Sequence, residues 1–188
     1  MKRSSLTLEA VKNIKQVGSI FASSSFLAKK ITKEIDFSKQ IHVLELGAGT
    51  GAITKEILNR MSANSVLYSY ENNENFIGSL KDLNDKRLII KGECVSTLDS
   101  LEDNYFDIVI SSLPLANLTN EFKNKIYKDI RSKLKESGTY LQYQYSLMDY
   151  KDIEKLFSNC KLDFCLFNLP PAFIYKVKML NEPLTLQV

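Results

Sequence analysis

A glycine-rich loop is the most informative stretch of this sequence. The segment HVLELGAGTGAITKEI, residues 42–57, passes from an apolar run into Gly47, Gly49 and Gly51 and then into a helical pattern. Glycine lets the chain turn tightly and brings bare backbone close to a ligand, so this loop predicts a nucleotide-type site. With Ala52 the loop also fits the dinucleotide pattern G-x-G-x-x-G/A, so the loop alone does not decide between cofactors.

Two acidic residues narrow the chemistry of this predicted site. Glu45 stands just before the first glycine, at the end of the predicted strand, and Glu71 ends the next predicted strand. An acid in the position of Glu71 suits the hydroxyls of a ribose. A carboxylate at position 45 would repel a pyrophosphate but would attract a ligand that carries an ammonium and a sulfonium. Glu71 would fit either ligand, whereas Glu45 favours such a ligand over a dinucleotide, as does the segment DIVISSLPL at the carboxyl end of the fourth predicted strand.

Alternating strands and helices must position these residues. The predicted strands are residues 41–46, 65–71, 87–92, 106–112 and 139–145. The predicted helices between and after them are residues 51–61, 73–83, 120–137 and 150–159. This alternation predicts a parallel sheet, whose carboxyl edge gathers the glycine loop and the acids. Two further β-like runs, separated by Pro170-Pro171, have no helix between them and should form an antiparallel edge.

The composition fits one domain in a reducing compartment. The chain has 188 residues, 44% of them hydrophobic, which is enough for one proper core. Its single histidine and three cysteines without a C-x-x-C pair predict no metal site, and a cytosolic setting fits best. No apolar run is long enough to span a bilayer.

The N-terminal segment is more basic than the rest of the chain. Residues 1–33 carry seven basic residues and one acid, a net charge of +6, whereas the whole chain is at +3. An apolar stripe recurs there at helical spacing: Leu8, Val11, Ile14, Val17 and Phe21. We predict an amphipathic helical extension over residues 1–36, followed by a main domain over residues 37–188. Such a helix packs on its own core or lies in an anionic membrane interface, and both remain open.

Four motifs in order resemble those of class I S-adenosylmethionine-dependent methyltransferases. They are VLELGAGTG, SYEN, KGEC and IVISSLPL, and the resemblance covers about residues 40–145. It implies an α/β, Rossmann-like fold with a seven-stranded, mostly parallel sheet, an antiparallel C-terminal edge and N-terminal helices. It also implies S-adenosyl-L-methionine as the cofactor and S-adenosyl-L-homocysteine as its product.

The same resemblance implies a set of cofactor-binding residues. Those implied around the methionine part are Glu45, Gly47, Gly49 and Gly51, with Ala48 in the same loop. Those implied for the nucleoside are Glu71 at both ribose hydroxyls, Asn72 beside the adenine, and Glu93 and Cys94 at the adenine edge. Ser111 is implied beneath the sulfonium.

The residues after the fourth predicted strand depart from the wider superfamily. Enzymes that methylate the exocyclic amine of adenine or cytosine usually carry Asn or Asp followed by Pro-Pro-Tyr, or a variant such as Asn-Leu-Pro-Tyr. Here Ser112 occupies the first position, Leu113 and Pro114 follow, and Leu115 occupies the last. A flipped base would find neither its hydrogen-bond acceptor nor its stacking ring at this loop.

The loop instead resembles that of bacterial phospholipid N-methyltransferases, which convert phosphatidylethanolamine to phosphatidylcholine. The segments GSIFASS (18–24), YLQYQYS (140–146) and NLPPAFIYKVK (168–178) are also similar to that family, although Phe173 stands where an arginine is expected. The acceptor site is then predicted at Ser111, Ser112, Leu113 and Tyr145, with no dedicated histidine base.

This second resemblance also implies partners and a location. The partners are a phospholipid substrate and an anionic membrane surface bound through the N-terminal helix, with no nucleic acid and a monomeric chain. The expected location is cytoplasmic, peripherally associated with the inner face of the plasma membrane.

Three alternatives stay open at this point. One is an rRNA adenine methyltransferase, whose basic extension would follow RNA phosphates. Another is a methyltransferase of a different small amine or of a protein. The third is a non-catalytic relic that binds lipid or protein, against which the complete glycine loop and the two ribose-side acids argue.

Overall fold

The computed structural model describes residues 25–33, 35–157, 159–168 and 170–179. The predicted stripe from Leu8 to Phe21 and the segment 18–24 lie outside these ranges. The helices are α1 Ser25–Ile31, α2 Ala52–Arg60, α3 Glu74–Lys81, α4 Asn120–Lys133 and α5 Tyr150–Phe157. The strands are β1 His42–Leu46, β2 Val66–Tyr70, β3 Leu88–Lys91, β4 Phe106–Ser111, β5 Leu134–Gln144, β6 Lys161–Cys165 and β7 Ala172–Lys178. Two 3₁₀ turns cover Val95–Ser100 and Leu115–Asn117.

The seven strands form one sheet in the order β3-β2-β1-β4-β5-β7-β6. The first five strands in this order run parallel to one another, and β7 is antiparallel to both β5 and β6. The order reverses direction at β1, so the loops after β1 and β4 diverge at the carboxyl edge and leave a crevice there. The predicted fold class, including the antiparallel edge formed by the two C-terminal strands, is confirmed.

Apolar side chains cover both faces of the sheet. Along β1, Val43 packs into one buried cluster and Leu44 into the other, because successive side chains of a strand point to opposite faces. Helix α1, the described part of the predicted extension, buries Leu27, Ala28 and Ile31 in the same cluster as Val43. The described end of the extension therefore packs on the main domain. Within the described ranges, every helix falls short of the length and apolar character that crossing a bilayer requires.

Helix α4 is shorter than its sequence pattern predicts. The periodic apolar residues and Gly138 predict a helix over residues 120–137, but the helix ends at Lys133 and β5 begins at Leu134. Leu134 is buried and pairs with Phe106 of β4. Sheet pairing and burial outweigh the helical propensity of the last turn, as tertiary contacts often do.

Arg87 connects the start of β3 to the end of α2. Its guanidinium donates to the carbonyls of Leu58 and Met61 at 2.8 and 2.7 Å and forms an ion pair with Asp85 at 2.6 Å. The two carbonyls belong to the end of α2, where backbone acceptors have no partner inside the helix. The ion pair holds the pKa of Asp85 down at about 2.

Replacing this arginine should lower stability without touching the carboxyl edge. We expect Arg87→Met to reduce the free energy of unfolding by about 1–3 kcal/mol, because buried carbonyls lose charged donors. Urea denaturation measures this change. The neighbouring Lys86 is exposed, so Lys86→Met is the matched control and should leave the midpoint unchanged. Equal midpoints for the two variants would contradict this role of Arg87.

Candidate active site

The glycine loop after β1 turns in a left-handed backbone conformation. Gly47 has φ 78° and Gly49 has φ 54°, values that residues with a side chain rarely adopt. A Cβ atom at Gly47 would lie 3.4 Å from Leu113 Cδ2, so this glycine lets the loop approach the segment after β4. A Cβ atom at Gly49 would meet no atom within 4 Å. The space in front of Gly49 is therefore open to a ligand.

Glu71 ties the end of β2 to this loop. One carboxylate oxygen accepts the backbone N–H of Gly49 at 2.8 Å. The other accepts the N–H groups of Asn72 and Asn73, each at 2.8 Å. The carbonyl of Tyr70 accepts the N–H of Gly47 at 2.8 Å, so the last residue of β2 and the residue after it both hold the loop. The acid predicted to take a ribose thus stands directly beside the glycine loop.

Glu45 faces α2 rather than the crevice. Its carboxyl group is completely buried, and Oε2 accepts the hydroxyls of Thr54 at 2.7 Å and Ser69 at 2.8 Å. The other oxygen, Oε1, has no hydrogen-bond partner among the described residues. Burial raises the pKa of Glu45 to about 7; the two hydroxyls oppose this effect and the charge of Glu71 adds to it. A buried acceptor without a donor is thus available directly behind the glycine loop.

The raised pKa of Glu45 predicts a pH-dependent stability. An acid whose pKa is higher in the folded protein contributes stability below its ordinary pKa of 4.5, and this contribution is lost as the pH rises through about 7. We expect wild type, relative to Glu45→Gln, to lose about 1–3 kcal/mol of unfolding free energy between about pH 5 and pH 8. Urea denaturation at several pH values measures this difference. A constant offset between the two proteins would contradict the prediction, because the glutamine changes the offset but cannot titrate.

A cleft at the carboxyl edge brings most of the predicted residues together. Those lining it are Gly47, Glu71, Asn72, Glu93, Cys94, Ser112 and Leu113. Tyr70, Val95 and Pro114 complete the walls. Tyr70 and Val95 are not among the predicted site residues, although each is next to one. Both are buried and give the cleft an apolar wall on the side of the predicted adenine position.

Glu93 and Cys94 stand at the start of the first 3₁₀ turn. Glu93 is exposed, and its Oε2 accepts the hydroxyl of Thr97 at 3.0 Å. The Cys94 sulfur accepts the N–H of Ser96 at 3.5 Å and so caps the turn. The Glu93 side chain reaches into solvent beside the cleft, whereas the Cys94 side chain helps to form the wall of the cleft.

The segment after β4 is held by two buried glutamines of β5. Gln144 donates to the carbonyl of Leu113 at 2.6 Å, and Gln142 donates to the same oxygen at 3.3 Å. Gln142 in turn accepts the hydroxyl of Tyr140 at 2.8 Å. The buried Ser111 hydroxyl accepts the N–H of Leu113 at 3.3 Å. Gln144 was not predicted in this role behind the cleft, although a polar residue at every second position of a buried strand is a signal for it.

Other predicted residues do not line the cleft. Ser111 is the buried last residue of β4, and Gly51 is the residue before α2. The remaining predicted residues that are not part of the lining are Glu45, Ala48 and Gly49. Tyr145 directly follows β5 and packs on the side of Tyr143, opposite the two glutamines, with the two rings in a T-shaped contact at 5.9 Å. Burial raises the pKa of Tyr145 to about 12.

Two further side chains are positioned away from any chemistry at the cleft. Leu115 is fully buried in the core and is not among the residues that line the cleft. His42, the single histidine of the sequence, begins β1 and therefore lies at the amino edge of the sheet. Its ring stacks on Tyr105 at 4.2 Å, which is a structural contact.

The comparisons with known proteins agree with this arrangement. The family described as ribosomal RNA adenine dimethylase matches residues 10–156. An ornithine lipid N-methyltransferase of Singulisphaera acidiphila is 26% identical over 173 residues, which cover 88% of this chain and 90% of the relative. A ribosomal RNA small subunit methyltransferase A of a Sulfurihydrogenibium species is 26% identical over 160 residues, which cover 85% of this chain. The chain spans 52% of the length of this second relative.

Solved structures share the fold. A 1,6-didemethyltoxoflavin-N1-methyltransferase of Burkholderia thailandensis, solved with S-adenosylhomocysteine, has a TM-score of 0.68 at 12% identity and covers 95% of this chain and 87% of its own. An S-adenosylmethionine-dependent methyltransferase of Methanococcus maripaludis has a TM-score of 0.65 at 13% identity. The match covers 92% of this chain and 93% of that protein. At these identities the likeness concerns the architecture of the sheet and its helices.

Proposed function

The chain belongs to the ribosomal RNA adenine dimethylase family and is an S-adenosylmethionine-dependent methyltransferase, and on this premise we propose that it methylates the primary amine of a membrane lipid. The substrate class that we propose is an aminolipid, with phosphatidylethanolamine as the first candidate and ornithine lipid as the second. The reaction would take place at a membrane surface, with the protein peripherally associated with the inner face of the plasma membrane.

The residues at the carboxyl edge fit S-adenosylmethionine. The open space in front of Gly49 accommodates a ligand against bare backbone, and Glu71 offers a carboxylate beside it for ribose hydroxyls. Glu45 faces α2 behind the loop, and when it is ionised its carboxylate would add a negative potential there that suits the ammonium and sulfonium of the methionine part. Asn72, Glu93 and Cys94 would hold the adenine beside Tyr70 and Val95. When bound, this cofactor supplies an electrophilic methyl group on a sulfonium.

The observation that carries the lipid proposal is the segment after β4. Ser112 replaces the polar residue that orients the amine of a base, and Leu115 is buried where a stacking ring would be needed. The carbonyl of Leu113 already accepts two glutamine amides, so its lone pairs are engaged. This segment would offer a nucleobase few hydrogen-bond partners. A flexible aliphatic amine needs only a partly apolar cleft of matching shape.

The amine must lose a proton before it can attack a methyl group. An alkyl ammonium has a pKa of about 10, and entry into a cleft walled by Leu113 and Pro114 would lower that pKa by desolvation. The single histidine lies at the opposite edge of the sheet and cannot act as the base. We infer that the proton leaves to water at the open mouth of the cleft. The chain then contributes mainly by orienting the amine, which is a large effect in itself.

Lipid analysis tests this proposal directly. The chain would be expressed in a bacterium that contains phosphatidylethanolamine and ornithine lipid but methylates neither, and the lipids would be analysed by mass spectrometry. We expect methylated forms of one of the two lipids, and none with a Gly49→Val control. Unmethylated lipids in cells whose purified protein binds S-adenosylhomocysteine by calorimetry would refute the proposal and leave the methyltransferase assignment intact.

The second candidate is an rRNA adenine methyltransferase. The family match and the rRNA methyltransferase relative favour it, as does the basic N-terminal segment. It predicts a change in methylated adenosine when the gene is deleted, with lipids unaltered. Nucleoside mass spectrometry of the rRNA from such a strain, run beside the lipid analysis, separates the two candidates.

A further inference from the structure

An exposed apolar patch lies at the same edge of the sheet as the cleft. It consists of five residues, which we call the edge patch: Phe26, Leu147, Met148, Leu166 and Phe167. Their exposed fractions are 61%, 46%, 77%, 62% and 74%. We propose that the edge patch is a membrane-docking surface that places the mouth of the cleft against the headgroups of an anionic bilayer. This inference deepens the proposed function and rests on it for the identity of the partner.

The strand pairing places the edge patch beside the cleft. Gln144, the last residue of β5, pairs with Phe173 of β7, and Cys165 at the end of β6 pairs with Ala172 at the start of β7. The turn that carries Leu166 and Phe167 therefore lies at the carboxyl edge, like the ends of β1 and β4. Leu147 and Met148 follow the end of β5 at that edge as well. A flat surface that meets these residues also faces the mouth of the cleft.

One ring contact joins two parts of the chain within the edge patch. The ring of Phe26 in α1 lies 5.9 Å from the ring of Phe167 in the turn between β6 and β7. Among the described residues, the other large apolar side chains with comparable exposure are Leu162 and Phe164 on the adjacent β6 and Ile89 on the distant β3. Exposed large apolar side chains that gather at one edge of a domain are uncommon and mark a contact site.

Basic residues beside the patch favour an anionic bilayer as the occupant. Phe26, Lys29, Lys30 and Lys33 recur at the spacing that places them on one face of the chain around α1, opposite the buried Leu27 and Ile31. Lys29 and Lys33 are exposed. The nearby Asp163 is already paired with Lys30 at 3.1 Å and Lys176 at 3.4 Å. Aromatic and aliphatic side chains beside lysines suit a membrane interface, because the apolar side chains can enter the acyl region while the lysines meet the anionic headgroups.

The test removes apolar side chains from the patch and keeps its charge. Met148→Ser, Leu166→Ser and Phe167→Ser would be combined in the full chain, with Ile89→Ser as the control for an exposed apolar residue elsewhere. Flotation with vesicles of phosphatidylcholine and phosphatidylglycerol measures membrane binding. We expect at least a tenfold loss of binding for the triple variant, wild-type binding for the control, and unchanged affinity of both for S-adenosylhomocysteine.

Three results would overturn the inference. One is equal vesicle binding by the triple variant and wild type. Another is a wild-type protein that binds no vesicles at all. The third is a shift in sedimentation of the triple variant without vesicles, which would indicate that the patch joins two copies of this chain. Vesicle binding is measured without any methyl transfer. Loss of binding in the triple variant would therefore support the docking surface even if no lipid proved to be methylated. The absence of lipid methylation would refute the proposed function alone.

Discussion

Gly49→Val should reduce the affinity for S-adenosylhomocysteine by at least about 100-fold. The added side chain would project into the open space in front of the loop, since a Cβ at this position meets no protein atom within 4 Å. The same substitution places a β-branched residue at φ 54°, which disfavours the loop conformation that lets the Gly49 N–H donate to Glu71. Both effects act on the ligand side of the loop, and isothermal titration calorimetry measures the result.

Gly78 supplies the matched control for this prediction. A Cβ at Gly78 also meets no atom within 4 Å, but the residue lies in α3 with an ordinary helical backbone. Gly78→Ala should therefore bind S-adenosylhomocysteine as wild type does. A folded Gly49→Val protein, judged by circular dichroism, that binds within threefold of wild type would contradict the placement of the ligand against this loop.

The sheet and its cleft were predictable because their signals are local. The change from alternating apolar residues to glycines and then to helical spacing fixes β1, the loop and α2 within residues 42–57. The carboxyl edge then follows from the parallel order of the strands, and with it the meeting of Glu71, Cys94 and Ser112 at one cleft. The confirmed parts of the fold need no knowledge of contacts between distant residues.

The parts that were missed depend on such distant contacts. The orientation of Glu45 toward α2 depends on Thr54 and Ser69, which are two hydroxyls from different elements. Helix α4 ends early because Leu134 finds a partner in β4, and no local pattern contains that information. Likewise, the exposure of Phe26 beside Phe167 depends on the packing of α1 against the β6–β7 turn. In each case a tertiary contact outweighs the local preference.

The two glutamines of β5 are the second place where a large effect is expected. The two glutamine amides donate to the carbonyl of Leu113 from the side of the sheet. These bonds also hold the segment from Ser112 to Pro114, which lines the cleft. Neither side chain lines the cleft, so we infer that they act as positioning residues. A buried carbonyl without these donors would be unsatisfied, which costs free energy. We expect the backbone to rotate toward other donors and the acceptor segment to move with it.

We therefore expect the double variant Gln142→Met and Gln144→Met to lower kcat by about 10–100-fold, with S-adenosylhomocysteine affinity within about threefold of wild type. The free energy of unfolding should fall by about 1–3 kcal/mol for the unsatisfied carbonyl, so the assay is run well below the unfolding temperature. Tyr140→Phe is the matched control, because it removes the hydroxyl that donates to Gln142 and leaves both bonds to Leu113 in place. Its kcat should stay close to that of wild type. An unchanged kcat in the double variant would show that the segment keeps its position without the glutamines. A parallel loss of kcat and cofactor affinity would indicate general disruption of the edge rather than misplacement of the acceptor segment.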